Sequence, residues 1–324
     1  MDHRGLKYYS IHGMLNLVTN LARPRLPSYF EVAEPLNPDT KVLEGNFRVD
    51  SSSLRPLGLR LLVGNGIVIH KCLSYGDLRL LLKDPAGSRG PTYVLFTRQY
   101  RVFKEKFGGE TIWRLVRLVL MAKLLSKHRH TFIHASGVSI NGEAFLFAGW
   151  SDVGKTSTAV ALVGIGRGSI AYISGDATVI GPRGSVLAWP GCTGRTIARP
   201  FERIPFLRGL AVRKKVGTLR GAPIEPRSEV SSLFILESGP IKRGERLEPE
   251  EALRKLALST DMSFDFSSNL LLLAYSYIDS SFDLRELKAR HLGLLRELIS
   301  RAECYRLVSP GPKGFVELAQ KYLL

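Results

Sequence analysis

The chain has 324 residues, 44% of them hydrophobic and 23% charged. At about 150 residues per domain there is room for two domains or one large one. The ordinary balance excludes disorder, a collagen-like repeat or a disulfide scaffold for the whole chain. Lysine and arginine number 46 against 29 acidic residues, a formal charge of +17, which points to anionic partners: phosphates, nucleic acid, acidic protein or anionic lipid.

Residues 1 to about 110 read as short strands cut by turn residues: Tyr8–Leu17, Phe47–Asp50, Leu59–Val63, Gly66–Cys72 and Tyr93–Thr97. The cutters are prolines and the Gly64-Asn65-Gly66 run. Ile112–Lys127 is apolar at most positions, with Arg114/Arg117 and Lys123/Lys127 on opposite sides, and predicts a mostly buried connecting helix over 111–128. Phe132–Ile140 and Ala144–Ala148 flank Asn141-Gly142, the pattern of a hairpin whose tight turn needs positive φ twice. A helix from Lys155 to about Ile165, a strand Ser169–Ser174, and a second hairpin of Asp176–Ile180 and Val186–Trp189 follow. Beyond them come a strand Val230–Leu236, a helix Glu248–Leu258, an amphipathic helix Leu284–Ile299 with His291 on its apolar stripe, and a strand, Pro-Gly turn and helix over Tyr305–Leu324.

The three cysteines, Cys72, Cys192 and Cys304, are far apart and form no Cys-x-x-Cys pair, which supports neither a zinc knuckle nor a disulfide framework. No apolar run follows Met1-Asp2-His3-Arg4, and Ile112–Leu125 is too short and too interrupted by charge to span a bilayer. A cytoplasmic protein without a membrane partner is expected.

Gly149-Trp150-Ser151-Asp152-Val153-Gly154-Lys155-Thr156 fits G-x-x-x-x-G-K-[ST], the phosphate-binding P-loop. The glycines let the backbone curl so that successive N–H groups face one phosphate chain. The helix that follows, opening with Ser157, adds the partial positive charge of its N-terminus. Lys155 is expected to reach the β- and γ-phosphates of ATP, and the Thr156 hydroxyl to bind Mg²⁺. Chance matches in a chain this long run to about one or two in a hundred on average composition. An ordinary glycine-rich β–α turn is the competing explanation.

The order of His130-Thr-Phe-Ile-His134-Ala-Ser-Gly137-Val138, the loop, and Tyr172-Ile-Ser-Gly-Asp176 resembles the HPr kinase/phosphorylase family over roughly residues 130–190. Weaker likeness continues to about residue 260. The resemblance implies an α/β fold: a P-loop nucleotide-binding domain of the HPr kinase/phosphoenolpyruvate carboxykinase type with a mixed sheet (129–324), beside a smaller strand-rich N-terminal lobe (1–110). In the family two adjacent aspartates follow the second strand and serve the metal and the proton transfer. Here the pair reads Gly175-Asp176, so Asp176 is the candidate for the base or the metal carboxylate and one role is left unfilled. The family's usual glycine after the loop serine is Asp152. A Glu-x-Arg-Gly stretch that supplies a further metal ligand aligns with Phe206–Gly209, with Glu202 nearby.

His134 reads equally as a core histidine and as a catalytic or acceptor-orienting one; His291 reads as core. Lys127–His130 reads as a helix C-terminus favoured by the dipole. Arg195, Arg199, Arg203, Arg208, Arg213, Lys214 and Lys215 crowd one region, where an arginine on the transferring phosphoryl group is expected. Cys192 has no readable histidine partner and is not taken as a nucleophile. The expected activity is ATP- and Mg²⁺-dependent phosphoryl transfer to a hydroxyl acceptor, a small metabolite or a protein serine. The alternative is a nucleotide-binding regulatory protein without kinase activity. Nucleic acid is disfavoured for want of interleaved aromatics or a known module, and a homo-oligomer is left open.

Overall fold

The computed structural model describes residues 5–22, 24–34, 36–49, 51–71, 79–107, 112–166, 168–191 and 221–323. They divide into two units: the described parts of Met1–Arg129 with Asp265–Arg290, and of His130–Phe264 with His291–Leu324.

In the first unit, strands β1 (Lys7–Ile11), β2 (Leu15–Thr19), β3 (Glu31–Val32), β4 (Thr40–Glu44), β5 (Arg55–Pro56), β6 (Leu61–Gly64), β7 (Ile67–Lys71), β8 (Arg79–Lys83) and β9 (Thr92–Phe96) form one mixed sheet. Its order is β3-β1-β2-β4-β9-β8-β7-β6-β5. Tyr8–Leu17 is not one strand but a hairpin. His12 and Gly13 take φ of 52° and 68°, and Met14 N–H donates to Ile11 O at 2.9 Å, the twist that matches paired strands. Residues 47–49 form no strand. Four strands of this sheet, β3, β4, β5 and β8, were not expected, two of them only two residues long. Leu80, Leu81 and Leu82 of β8 are all buried, which leaves no polar face to read, and β4 is paired in parallel on both sides.

Helix α1 (Arg98–Phe107) is an addition to the expected elements; α2 (Ile112–Lys123) continues into a π-helical turn over Leu124–His128. Only Arg114 and Arg117 of α2 escape burial. The turn ends on Arg129 at φ 56°, and Lys127 reaches Asp39 at 3.7 Å. Lys123 is fully buried and its ammonium donates to Asp39 O at 2.5 Å.

The second unit carries β10 (Thr131–Ile133), β11 (Ala135–Ile140), β12 (Glu143–Gly149), helix α3 (Lys155–Ile165), β13 (Ile170–Ser174), β14 (Thr178–Ile180), β15 (Ser185–Leu187), β16 (Arg227–Ser238), β17 (Arg243–Arg246) and α4 (Pro249–Phe264). Helix α5 (Leu270–Ile278), not anticipated from sequence, lies in the first unit. The chain continues through α6 (Leu284–Ile299), β18 (Glu303–Ser309) and α7 (Pro312–Leu323). The sheet runs β10-β14-β15-β16-β12-β11-β13, with β18 on β16 and β17 on β18. The molecule is thus mixed α/β with two mixed sheets.

Asn141 and Gly142 take φ of 53° and 84° and join β11 to β12, as their pattern predicts. Phe132–Ile140, expected as one strand, breaks at His134. β10 pairs with β14, whereas β11 pairs with β12 and β13, so the chain must change neighbours there. β12 is buried from Ala144 onward, between antiparallel β11 and parallel β16. On one face Phe147 stacks on Phe234 at 5.3 Å, in a core shared with Ala159 and Leu162 of α3 and Phe315 of α7. Each of the phenylalanines and Leu162 contributes roughly 1.5–3 kcal/mol by leaving water. His291 is 3% exposed and its Nδ1 shares a hydrogen bond of 2.8 Å with Thr131 Oγ1, a satisfied core histidine.

In the first unit, His70 Nδ1 lies 2.9 Å from the Tyr100 hydroxyl. Burial, reinforced by Lys104 and Arg60, pushes the His70 imidazole down to about 4. The unfolded chain therefore binds more protons than the folded one between the ordinary histidine value and about 4. The stability of neutral His70 is complete above that window and is lost as pH falls through it. Thermal unfolding of wild type should lose more stability between about pH 7 and pH 5 than that of His70→Asn, with a steepest slope near 1.4 kcal/mol per pH unit. Parallel pH profiles for the two proteins contradict this.

Candidate functional site

The Gly149–Thr156 segment leaves the end of the central strand β12 and enters α3. Gly149, Asp152 and Gly154 hold φ of 141°, 69° and 113°. That succession curls the backbone as an anion nest requires. A Cβ on Gly149 would stand 2.5 Å from the Leu236 carbonyl oxygen of β16, and one on Gly154 would stand 2.9 Å from Pro312 Cγ at the start of α7. Both positions therefore demand glycine for space as well as for conformation. Asp152 adopts the left-handed conformation a glycine would take, and aspartate is among the few residues that do so at modest cost. The backbone of the loop therefore keeps its curl with an aspartate at this position.

Lys155 is 5% exposed. Its ammonium donates to the carbonyls of Gly149 at 2.9 Å and Trp150 at 2.8 Å, closing the loop from inside. Burial pushes it down to about 8, while the Asp176 carboxylate pulls upward. A phosphate oxygen would compete with those two carbonyls for the same protons. Ser151 and Asp152 are exposed at the rim, and Val153, Thr156 and Ser157 are half-buried.

The Thr156 hydroxyl donates to the carbonyl of Gly175, and so does Ser136 Oγ from β11. The two hydroxyl oxygens lie 3.3 Å apart. With its proton committed to Gly175, Thr156 has lone pairs to offer a cation. Asp176 follows β13 and lies, 70% exposed, with Oδ1 3.3 Å from Nε2 of the buried His134. His134 Nδ1 faces the Ser259 carbonyl of α4 at 3.0 Å, and its main-chain N–H donates to Thr260 Oγ1 at 3.3 Å. A carbonyl only accepts, so Nδ1 carries the proton and Nε2 is the nitrogen turned to Asp176. A single further proton between Nε2 and Oδ1 completes that contact.

Among the described residues there is no cluster of three or more His, Cys, Asp or Glu that could hold a metal. The donor set fits Mg²⁺, which keeps several waters and takes one or two protein oxygens plus substrate phosphates. Thr156 and Asp176 are the residues that would serve it. The Cβ-free cradle fits a phosphate chain.

The structure brings His134, Gly149–Ser157 and Asp176 to one end of the second unit's sheet. Arg195, Arg199, Glu202, Arg203, Phe206, Arg208, Arg213, Lys214, Lys215, Cys72 and Cys192 lie outside the described residues; Cys304 is buried. Sequence reasoning missed Ser136, although it sits two residues after His134, on the same approach to the loop. It also missed Ser259 and Thr260, more than 120 residues away in the chain, for which no local signal exists. Among the described residues no helix is long and apolar enough to cross a membrane.

No protein-family model matches the chain, and no curated protein matches it. Among solved structures the chain is similar to the Hpr(Ser) kinase/phosphatase from Coxiella burnetii at 15% identity, over 60% of this chain and 96% of that one. The TM-score is 0.24, at which the likeness carries no argument.

The cradle's dependence on glycine is open to test by melting. Gly149→Ala forces a Cβ toward the Leu236 carbonyl at a strained φ and should cost about 1–3 kcal/mol. Gly164→Ala is the control, since nothing lies within 4 Å of a Cβ there and alanine favours a helix. Gly149→Ala should melt several degrees below wild type and Gly164→Ala at or above it. Equal melting of the two variants would refute the close approach.

Proposed function

We propose that the chain is an ATP- and Mg²⁺-dependent phosphotransferase that acts on a hydroxyl acceptor, a small metabolite or a protein serine. The observation that carries this is the pairing of Asp176 with His134 at 3.3 Å beside a glycine-curled loop closed by the buried Lys155. A passive anion site needs the loop and the lysine. It has no use for an exposed carboxylate backed by a buried, anchored imidazole.

In this reading the backbone of Gly149–Gly154 and the start of α3 hold the β- and γ-phosphates of ATP. The Lys155 ammonium leaves the Gly149 and Trp150 carbonyls for phosphate oxygens. Bound Mg²⁺ supplies charge neutralisation of the phosphate oxygens. Asp176 takes the proton of the acceptor hydroxyl as that oxygen bonds to the γ-phosphorus and the bond to the ADP oxygen breaks. His134 Nε2, oriented by the Ser259 carbonyl, accepts the hydrogen bond of the newly protonated Asp176, so the carboxylate is not left to carry the proton alone. The domain assignment to a P-loop kinase of the HPr kinase-like type is part of this proposal.

A regulatory nucleotide binder without transfer is the second reading. Gly175, which offers no carboxylate, favours it.

Two substitutions separate the two. Lys155→Ala should abolish ATP binding or weaken it strongly. Asp176→Asn should bind ATP as wild type does, yet transfer phosphate from γ-labelled ATP about 10²–10⁴-fold more slowly, read against a panel of hydroxyl metabolites and cell protein. Wild type that binds ATP and labels nothing establishes the regulatory reading. Lys155→Ala with unchanged ATP affinity removes both.

A further inference from the structure

Gly175 is a glycine for a reason that its backbone does not supply. A Cβ built there would stand 2.5 Å from the Tyr172 hydroxyl oxygen and 3.4 Å from Thr156 Cγ2. The phenol of β13 therefore occupies the place where a side chain at 175 would begin, next to the residue expected to meet the cation. Tyr172 is 2% exposed. Its hydroxyl finds no hydrogen-bond partner among the described residues, whereas the hydroxyl of Thr156, beside the same Gly175 position, has one. A buried hydroxyl left unmade costs about 1–3 kcal/mol. Phenylalanine would fill the same volume without that cost, so packing accounts for the ring and not for the oxygen. Burial, then the nearby Asp176 carboxylate, push the phenol well above its ordinary range. The group is a proton donor at any working pH.

We propose that the Tyr172 hydroxyl, which the missing side chain of Gly175 admits beside Thr156, is a positioning residue of the nucleotide site that donates a hydrogen bond to an oxygen of bound Mg²⁺–ATP. The proposal rests on the nucleotide reading above and adds to it a specific group in the place where the sequence lacks a second carboxylate. A phosphate oxygen and a metal-bound water are both acceptors of this chemistry.

The test combines affinity with stability. Trp150 is 65% exposed within the loop itself, while Trp113 and Trp189 are buried, so tryptophan fluorescence reports on the site. Wild type, Tyr172→Phe, Gly175→Ala, the double variant and Lys155→Ala are titrated with ATP in Mg²⁺ and in EDTA, and melted without ligand. Tyr172→Phe should melt at or above wild type, yet bind Mg²⁺–ATP about three- to tenfold more weakly, the weight of one neutral hydrogen bond. A loss confined to Mg²⁺ assigns the acceptor to a metal-bound water, and a loss in both media assigns it to a phosphate oxygen. Gly175→Ala should melt lower because its methyl displaces the hydroxyl. The double variant should regain the melting temperature without regaining affinity. Tyr172→Phe with wild-type affinity in both media overturns the proposal while the nucleotide site stands. Wild type that binds no nucleotide, or binds it as Lys155→Ala does, overturns the nucleotide reading and this proposal with it.

Discussion

Everything in the second unit is arranged around one close approach, that of Gly149 to the Leu236 carbonyl where β12 ends against parallel β16. A side chain there would push two central strands apart. Without one, the chain turns at the strand end and throws the next five residues over the edge of the sheet. The geometry of the loop is thus set by the packing of the sheet beneath it. The loop's rigidity then comes from below: Phe147 and Phe234 stack under it, and Ala159 and Leu162 fix the helix that follows.

The same economy of placement explains the His134–Asp176 pair. The break that sends β10 and β11 to different neighbours leaves His134 between two strands, where α4 can take its main-chain N–H and its Nδ1 at once. The ring is fixed by groups that have nothing to do with Asp176, so its free edge has a constant direction. Asp176, on a bend after β13, is mostly exposed. The pair thus sets a buried, anchored imidazole behind a carboxylate that faces solvent.

The parts of this fold written in short-range chemistry were legible. Asn141-Gly142 announces its turn, the glycine spacing announces the loop, and the Pro-Gly turn before α7 announces itself. What escaped were features decided by neighbours. Leu80–Leu82 lack alternation because both faces are covered. His12-Gly13 makes a turn without the Asn-Gly or Asp-Gly pair that signals one most strongly. At the candidate site, the loop, Asp176 and His134 were readable, but Ser259, Thr260 and the Tyr172 hydroxyl were not, since nothing in a linear pattern says which carbonyl will meet an imidazole or which phenol will go without a partner.

The contact of Gly154 with Pro312 joins positions more than 150 residues apart. The loop precedes in the chain the helix whose first residue backs it, so α7 leaves the ribosome after it. During synthesis the glycine curl must wait, without its rear wall, for residues 312–323 to arrive. Such long-range closure is slow compared with local helix formation. A nascent chain therefore cannot hold a ligand on this loop with native geometry until Pro312 has folded back against Gly154, and a ligand present at that moment favours the closed arrangement over the open one.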